Sequence, residues 1–279
     1  MNNFKSFLLM TILTVLLVVA GGAIAGESGL YIGFLIAFVI NFGTYWFSDR
    51  LAISMTKSKP MPREKYPEIY EMVKDLTYRA NMPMPKLYIM PSDQPNAFAT
   101  GRNPKNSAVA VTNGLLSTLN RQELQGVISH ELAHIKNRDT LISTFAAVMA
   151  GALALIARLG MYKMMFGGGR GGRGHPAMLV IQLLSIIFAP LAAMLIKFAI
   201  SRTREYQADS TGAEIAGNSE GLSSALLKLE SAAEKRPIKV NEATSHMFIV
   251  NPLSRKGMTK LFSTHPPVRD RVKRLKDIR

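Results

Sequence analysis

The sequence predicts an α+β protein in which a multi-pass helical membrane part accompanies a mainly helical soluble domain with a small β-sheet. Apolar residues make up 48% of the chain, and they are concentrated in four stretches that lack Asp, Glu, Lys and Arg. These stretches are Ser6 to Gly26, Ser28 to Ser48, Thr140 to Ala157, and Gly174 to Ile196. Each is long enough, or nearly so, to cross a hydrocarbon core of about 30 Å as a helix. The remaining segments contain an amphipathic helical pattern and short runs bounded by Pro, Gly and Asn that read as strands, which predicts the mixed soluble domain.

The first stretch has two interpretations. Ala23-Ile24-Ala25 resembles the small-residue cleavage site of a signal peptide, but the apolar run exceeds the usual length of about 7–15 residues and a second stretch follows almost at once. We therefore favour a retained membrane anchor.

Positive charge near the stretches predicts the orientation in the membrane. The loop between the first two stretches contains only Glu27, whereas five Lys and Arg residues follow the second stretch. Since positive residues favour the cytoplasmic side, we expect both termini and the soluble domain to face the cytoplasm. Lys and Arg between the third and fourth stretches indicate the opposite, which leaves a full span or a re-entrant hairpin open for this pair.

Four segments follow from this pattern. We expect two transmembrane helices at 1–48, a first part of the cytoplasmic domain at 49–139, a hydrophobic helical hairpin with a Gly-rich loop (161–176) at 140–200, and a second part of the domain at 201–279. The two soluble parts together provide roughly 170 residues, enough for one hydrophobic core.

Charge and composition restrict the classes of partner and chemistry. The net charge of +15 suits a face held against anionic lipid. The Gly- and Arg-rich run from Gly167 to Gly174 resembles RNA-binding segments, but its place between two apolar stretches favours a flexible loop, and we expect no nucleic acid partner. The chain has no cysteine, so the protein ligands of any metal must be His, Asp or Glu. The sequence indicates no particular oligomeric state.

Local patterns predict the elements of the soluble domain. Pro67 begins an amphipathic helix, and Lys86 to Met90 and Ser107 to Thr112 read as strands. The intervening run, Asn96 to Arg102, is a strand or an exposed loop. Asn120, followed three residues later by a glutamate, predicts a capping box at the start of another helix.

The helix after Asn120 contains the run H-E-L-A-H. His130 and His134 lie four residues apart and therefore on one face of the helix, where both rings can bind one metal ion. Glu131 points about 100° away from His130, so it can act as a general base on a water at the ion without binding the ion itself. The alternative is a helix with two surface histidines, but this spacing is rare in a chain with five histidines.

A catalytic zinc site needs a third protein ligand and one open position. The run R-E-Y-Q-A-D offers Glu205 as a ligand and Asp209 as a carboxylate that orients a ligand histidine. Carboxylates at this spacing usually mark a solvated helix face. However, the helix that carries the two histidines would run into the third apolar stretch, and the helix that carries Glu205 would follow the fourth. The candidate ligands would therefore lie at similar distances from the membrane. His246 and His265 are the alternative third ligands.

Three runs together resemble the HtpX family of membrane zinc metalloproteases, which are gluzincins related to the CAAX prenyl proteases. They are H-E-L-A-H (His130 to His134), E-Y-Q-A-D (Glu205 to Asp209) and T-H-P-P (Thr264 to Pro267). The resemblance covers essentially the whole chain and implies a gluzincin-type protease domain. It also implies one Zn²⁺ per chain on His130, His134 and Glu205, with Glu131 as the general base. The family role it implies is quality control of damaged or misassembled proteins in the cytoplasmic membrane.

The reaction that we expect is hydrolysis of peptide bonds in membrane-protein substrates. An extended substrate would add a strand to a sheet edge within Asn96 to Thr112. His265 has three open roles: donor to the developing oxyanion, a latch on the open metal position, or part of the cap of a basic amphipathic helix at 268–278. A non-proteolytic zinc site with four protein ligands is a rival, and a scaffold or transporter is disfavoured because the apolar stretches lack charged residues.

Overall fold

The architecture is that of a computed structural model, which describes residues 2–146, 148–149, 202–235, 249 and 266–278. The chain divides into two compact units. The first unit comprises Met1–Trp46 and Phe145–Ala199, and the second comprises Phe47–Thr144 and Ile200–Arg279. The division into membrane and protease segments made from the sequence stays a prediction. The Gly-rich loop and most of the hydrophobic hairpin at 140–200 lie outside the described residues.

The first helical run, α1 (Asn2–Met55), reverses direction within the first unit. The side chain of Asn41 donates hydrogen bonds to the carbonyl oxygen of Met10 (3.2 Å) and to Oγ1 of Thr14 (2.9 Å). A straight helix would place residues 10 and 41 about 46 Å apart, so the chain must fold back between them. Gly26 has a φ of 62°, a value that glycine adopts readily, and it marks the reversal.

One helix in the described part of the chain is long and apolar enough to cross a membrane, namely Ala25–Met55. The first apolar stretch, which we expected to be a full span, forms a shorter apolar helix at Ser6–Gly22. The two N-terminal spans predicted from the sequence are therefore one helix of spanning length and one shorter helix. The multi-pass arrangement stays a prediction.

The second unit contains a four-stranded mixed sheet. Its strands are β1 (Lys59–Pro60), β2 (Lys86–Met90), β3 (Ala97–Asn103) and β4 (Asn106–Thr112). The spatial order is β1-β2-β4-β3, with β2 and β4 parallel and the other pairs antiparallel. The two strands predicted from the sequence are present, and the run from Asn96 to Arg102, which could have been a strand or a loop, lies mostly in the strand β3. β3 forms one edge of the sheet.

Six helices that lie wholly within the described residues of the second unit accompany this sheet. They are α2 (Pro67–Arg79), α3 (Asn113–Thr118), α4 (Arg121–Lys136), α5 (Arg202–Ala216), α6 (Glu220–Lys235) and α7 (Val268–Lys276). α4 begins with the predicted capping box, in which Asn120 and Glu123 each accept a hydrogen bond from the other's backbone N–H at 2.9 Å. The Glu123 carboxylate also accepts hydrogen bonds from Ser224 and Lys228 of α6, which fixes the start of α4 against that helix.

α4 is the central helix of the second unit and packs against α5, α6 and β3. Two glycines permit this close approach. A Cβ atom added at Gly126 of α4 would overlap the backbone nitrogen of Leu222 in α6, and one added at Gly212 of α5 would lie 3.0 Å from the backbone nitrogen of His130. α5 therefore passes directly beside the first histidine of the H-E-L-A-H run.

α4 does not continue into the third apolar stretch, contrary to the expectation of one long helix. The N–H of Asp139 donates to the carbonyl of His134 (3.0 Å), and the N–H of Arg138 donates to that of Ile135 (3.1 Å). Arg138 has a φ of 59°. This hydrogen-bond pattern around a left-handed residue is a Schellman motif, which ends α4. A new helical segment begins at Thr140.

The close contact between α4 and α6 predicts the effect of Gly126→Ala. Because the added methyl group meets backbone rather than a movable side chain, we expect the free energy of unfolding to fall by about 1–3 kcal/mol. Thermal or denaturant unfolding of the purified protein measures this change. Gly43→Ala is the matched control, since nothing lies within 4 Å of its added Cβ and alanine favours a helix. Equal stability of the two variants would contradict the packing described.

Candidate metal centre

Two helices bring three candidate ligand groups together in the interior of the second unit. α4 supplies His130 and His134, and α5 supplies Glu205. One ligand atom from each of these residues lies within 4.8 Å of the other two. His130 is 1% exposed and Glu205 is 5% exposed, so the group is largely removed from water.

The distances between these atoms fit a tetrahedral ion. The Nε2 atoms of His130 and His134 lie 3.2 Å apart. One carboxylate oxygen of Glu205 is 3.5 Å from His134 Nε2, and the other is 3.8 Å from His130 Nε2. Two ligands about 2.1 Å from a tetrahedral zinc ion are separated by about 3.4 Å. Two imidazoles and a carboxylate are also a usual donor set for catalytic zinc, so these residues fit that ion.

A carboxylate close behind His134 fixes the orientation of its ring. His134 Nδ1 donates a hydrogen bond to Asp139 Oδ2 at 3.1 Å. The Schellman motif at the end of α4 makes this contact possible, because it turns the chain back toward the last turn of the helix. Asp139 lies in turn 3.8 Å from the guanidinium of Arg204, which is buried in α5. The Nε2 atom of His134 thus faces the candidate metal position.

His130 lies against Asp209, the carboxylate that the sequence offered as support for a ligand histidine. Its Nδ1 atom lies 3.0 Å from Asp209 Oδ1, although the ring N–H is not aligned well enough for a regular hydrogen bond. Asp209 is held by Arg271 of α7, which donates from Nε to Oδ2 (2.9 Å) and from Nη2 to Oδ1 (2.6 Å). Each histidine is therefore backed by an Asp–Arg pair.

Asp139 and Arg271 were not identified from the sequence. α7 was predicted as a basic amphipathic helix, and its exposed residues agree with that description. Arg271, however, occupies the apolar face of α7 together with Val268, Val272 and Leu275, all of which are buried. Arg271 follows Val268 by three residues and so lies in line with the apolar residues of this helix face. This pattern was the signal that could have revealed its buried role. No comparable signal pointed to Asp139.

The charges around the histidines do not balance. Four carboxylates, those of Glu131, Asp139, Glu205 and Asp209, are buried here with the guanidinium groups of Arg204 and Arg271. Two negative charges thus remain among these six groups, which suits a divalent cation bound by neutral histidines. Placing a dipositive ion here would bring the local charge close to zero.

The pKa values of the two histidines respond to these charges in opposite directions. Burial, supported by the positive charge of Arg271, lowers the pKa of His130 to about 4. Burial also disfavours the charged form of His134, but the hydrogen bond that its ring donates to Asp139 and the negative charge of Glu205 outweigh burial and raise the pKa to about 9. The Asp209 carboxyl is buried as well, yet Arg271 lowers its pKa to about 2. His134 therefore carries a proton at neutral pH when no metal is bound.

His246 and His265 lie outside the described residues. The three roles considered for His265 consequently stay predictions, as does the use of either histidine as an alternative third ligand. The described part of T-H-P-P is limited to its two prolines, and Pro267 is the residue immediately before α7.

Comparison with known proteins agrees with this geometry. A model of Peptidase family M48 matches residues 63–279. A Protease HtpX homolog from Pelotomaculum thermopropionicum is 56% identical over 276 residues, which cover 99% of this chain and 98% of the relative. Another, from Thermococcus sibiricus, is 50% identical over 278 residues, covering 98% and 95%. The crystal structure of S. mikatae Ste24p aligns with a TM-score of 0.53 at 18% identity, covering 97% of this chain and 64% of that one, which shows a similarity of fold.

The fold and these relatives define a metallopeptidase whose cofactor is zinc. The chain belongs to peptidase family M48. The enzyme class, the cofactor and the family resemblance predicted from the sequence are thereby confirmed.

The raised pKa of His134 predicts that zinc binding releases a proton. Below about pH 9 the ion must displace the proton that His134 carries, so zinc affinity should rise with pH up to that value. Calorimetric titration of zinc into the metal-free protein at about pH 7.5, in buffers with different enthalpies of ionisation, measures the number of protons released. We expect about one proton from His134. Asp139→Asn should release fewer, and a binding enthalpy independent of the buffer would contradict the prediction.

Proposed function

We propose that this chain is a membrane-integrated zinc endopeptidase that hydrolyses peptide bonds of damaged or misassembled membrane proteins at the cytoplasmic face of the inner membrane. The observation that carries the proposal is the buried group of His130, His134 and Glu205, whose spacing suits a zinc ion and which has the Glu131 carboxylate beside it. The apolar helix Ala25–Met55 supports a location in the membrane. The Lys and Arg residues after the second apolar stretch support the cytoplasmic orientation.

In this proposal each residue of the centre has a distinct role. His130, His134 and Glu205 hold the ion, while Asp209 and Asp139 keep the two histidine rings in the orientation that presents Nε2. Zinc, when bound, supplies a Lewis acid that polarises the scissile carbonyl group and promotes loss of a proton from water. Glu131 accepts this proton and then delivers it to the nitrogen of the leaving amine. Its position one residue after His130 turns its side chain to a different direction from the two histidine rings.

We propose further that the substrate binds as an extended strand along β3. Of the strands in the region considered from the sequence, β4 lies between β2 and β3, whereas β3 is at the edge of the sheet and packs against α4. β3 therefore offers a backbone edge close to the metal helix. Pairing with main-chain groups is compatible with many side chains, which suits an enzyme that acts on damaged proteins of varied sequence.

The first test uses wild type and Glu131→Gln reconstituted in liposomes with a membrane protein, either folded or destabilised by substitution. We expect wild type to cleave the destabilised substrate, and Glu131→Gln to retain zinc but lose cleavage, because its amide cannot accept the proton. Zinc content and fragment formation are measured on the same samples. Loss of zinc in the variant would refute the role of Glu131, and equal cleavage of folded and destabilised substrate would refute the quality-control specificity.

The second test separates the metal ligand from its neighbour on α5. Glu205→Ala should abolish stable zinc binding, whereas Asp209→Asn should weaken zinc affinity or activity by about 10–100-fold, since it alters the support of His130 rather than a ligand. Zinc content after dialysis against a chelator distinguishes the two effects. Glu214→Ala, an exposed position on the same helix, is the control. Full zinc occupancy in Glu205→Ala would assign the third ligand elsewhere, with His246 and His265 as the next candidates.

A further inference from the structure

Arg271 is the largest fully buried side chain among the described residues of the protein. It belongs to α7, whose other charged residues are exposed, and its guanidinium group reaches the metal centre. Burial of an arginine is unfavourable unless its charge and its donors are satisfied. The contacts of this guanidinium therefore indicate what its position achieves.

The guanidinium of Arg271 contacts several components of the centre at once. It holds both oxygens of Asp209 through the Nε and Nη2 contacts described above, and Nη1 donates to the backbone carbonyl of Ile249 at 3.2 Å. Nη1 also lies 3.9 Å from Glu205 Oε2, and Nη2 lies 3.4 Å from His130 Nε2. One rigid, planar group thus contacts a candidate ligand from each metal helix and the carboxylate that supports His130.

Stability alone does not explain this arrangement. Buried ion pairs contribute little net stability compared with well-packed apolar residues, because removing two charges from water is costly. A two-point contact does, however, fix the plane of a carboxylate, which a single hydrogen bond leaves free to rotate. Arg271 and His130 both contact the Oδ1 atom of Asp209. By fixing the plane of the Asp209 carboxylate, Arg271 therefore also fixes the oxygen that lies beside the His130 ring.

We propose that Arg271 is a positioning residue for the metal centre, which orients His130 through Asp209 and restrains the oxygen of Glu205 that faces His130. The proposal rests on the proposed function, since it takes His130 and Glu205 as zinc ligands. It makes α7 a third structural support of the centre, in addition to α4 and α5. Lysine cannot replace Arg271 in this role, because its ammonium group is a point charge without a planar pair of donors.

The test compares Arg271→Lys with wild type in the full-length protein in detergent. Arg274→Lys is the matched control, because Arg274 lies on the same helix but is exposed and stacks over the ring of Tyr206. Four properties are measured: the rate of zinc release to a chelator, the visible spectrum of the cobalt(II)-substituted protein, kcat and KM for a peptide substrate, and the thermal unfolding of the metal-free protein.

We expect Arg271→Lys to release zinc about 10–100-fold faster than wild type, to show altered cobalt(II) ligand-field bands and to have a lower kcat with an unchanged KM. Unfolding of the metal-free protein should remain close to wild type, because lysine keeps the positive charge beside Asp209. The control should match wild type throughout. Wild-type zinc release and an unaltered cobalt spectrum would overturn the proposal. Zinc loss that merely follows a loss of folding would overturn it too.

A double-mutant cycle tests whether Arg271 acts through Asp209. If it does, Arg271→Lys combined with Asp209→Asn should release zinc no faster than the more severe single variant. If the double variant instead releases zinc faster by the product of the two single effects, Arg271 does not act through Asp209. If Arg271→Lys folds poorly, Asp209→Asn alone tests the same route, because it alters the carboxylate through which Arg271 orients His130: wild-type zinc release in this variant would overturn that route. The wild-type sample separates this inference from the proposed function. If wild type neither binds zinc nor cleaves the substrate, the proposed function is wrong. If wild type does both, the results for the variants test the role of Arg271 alone.

Discussion

An imbalance of buried charge governs the centre of the second unit. Four carboxylates surround two histidines, and two guanidinium groups compensate only part of their charge. In the metal-free protein the hydrogen bond to Asp139 and the negative charge of Glu205 raise the pKa of His134, so that this histidine takes up a proton. A divalent cation relieves the same imbalance more completely. The fit of this interior to a divalent cation therefore arises from the surrounding charges as well as from the three groups that can bind the ion.

The packing of helices supports this concentration of charge. α5 approaches α4 closely because Gly212 lacks a side chain where it meets the backbone of His130. This contact allows carboxylates from α5 to reach both histidine rings of α4 over short distances. α7 then closes the group with Arg271. The centre consequently depends on three helices whose mutual spacing is fixed by small residues and by buried ion pairs.

The parts of the fold and site that were predictable depend on short-range patterns. The four-residue spacing of His130 and His134, the capping box at Asn120 and the Pro, Gly and Asn residues that bound β2 and β4 are local patterns, so the sequence displays them directly. The prediction that Glu205 lies beside the two histidines also relied on the positions of the third and fourth apolar stretches. Even there, the assumption of an uninterrupted helix after α4 was wrong.

The parts that were not predictable depend on backbone conformation or on distant contacts. Asp139 reaches His134 because Arg138 adopts a left-handed conformation, and arginine carries no preference that would have indicated this. Arg271 lies 141 residues from His130, and no local pattern connects the two. Its placement on the apolar face of α7 was visible in the sequence, but the partner that justifies it was not.

The distribution of the centre along the chain has a consequence for its biosynthesis. Ribosomes make proteins from the N-terminus, so α4 emerges with its two histidines well before α5 supplies Glu205 and Asp209, and Arg271 emerges last. A nascent chain therefore exposes the H-E-L-A-H run while most of the surrounding charge is still missing. The arrangement described here can form only after translation has passed α7. The complete centre is thus a property of a chain that already extends through α7, and not of the H-E-L-A-H run alone.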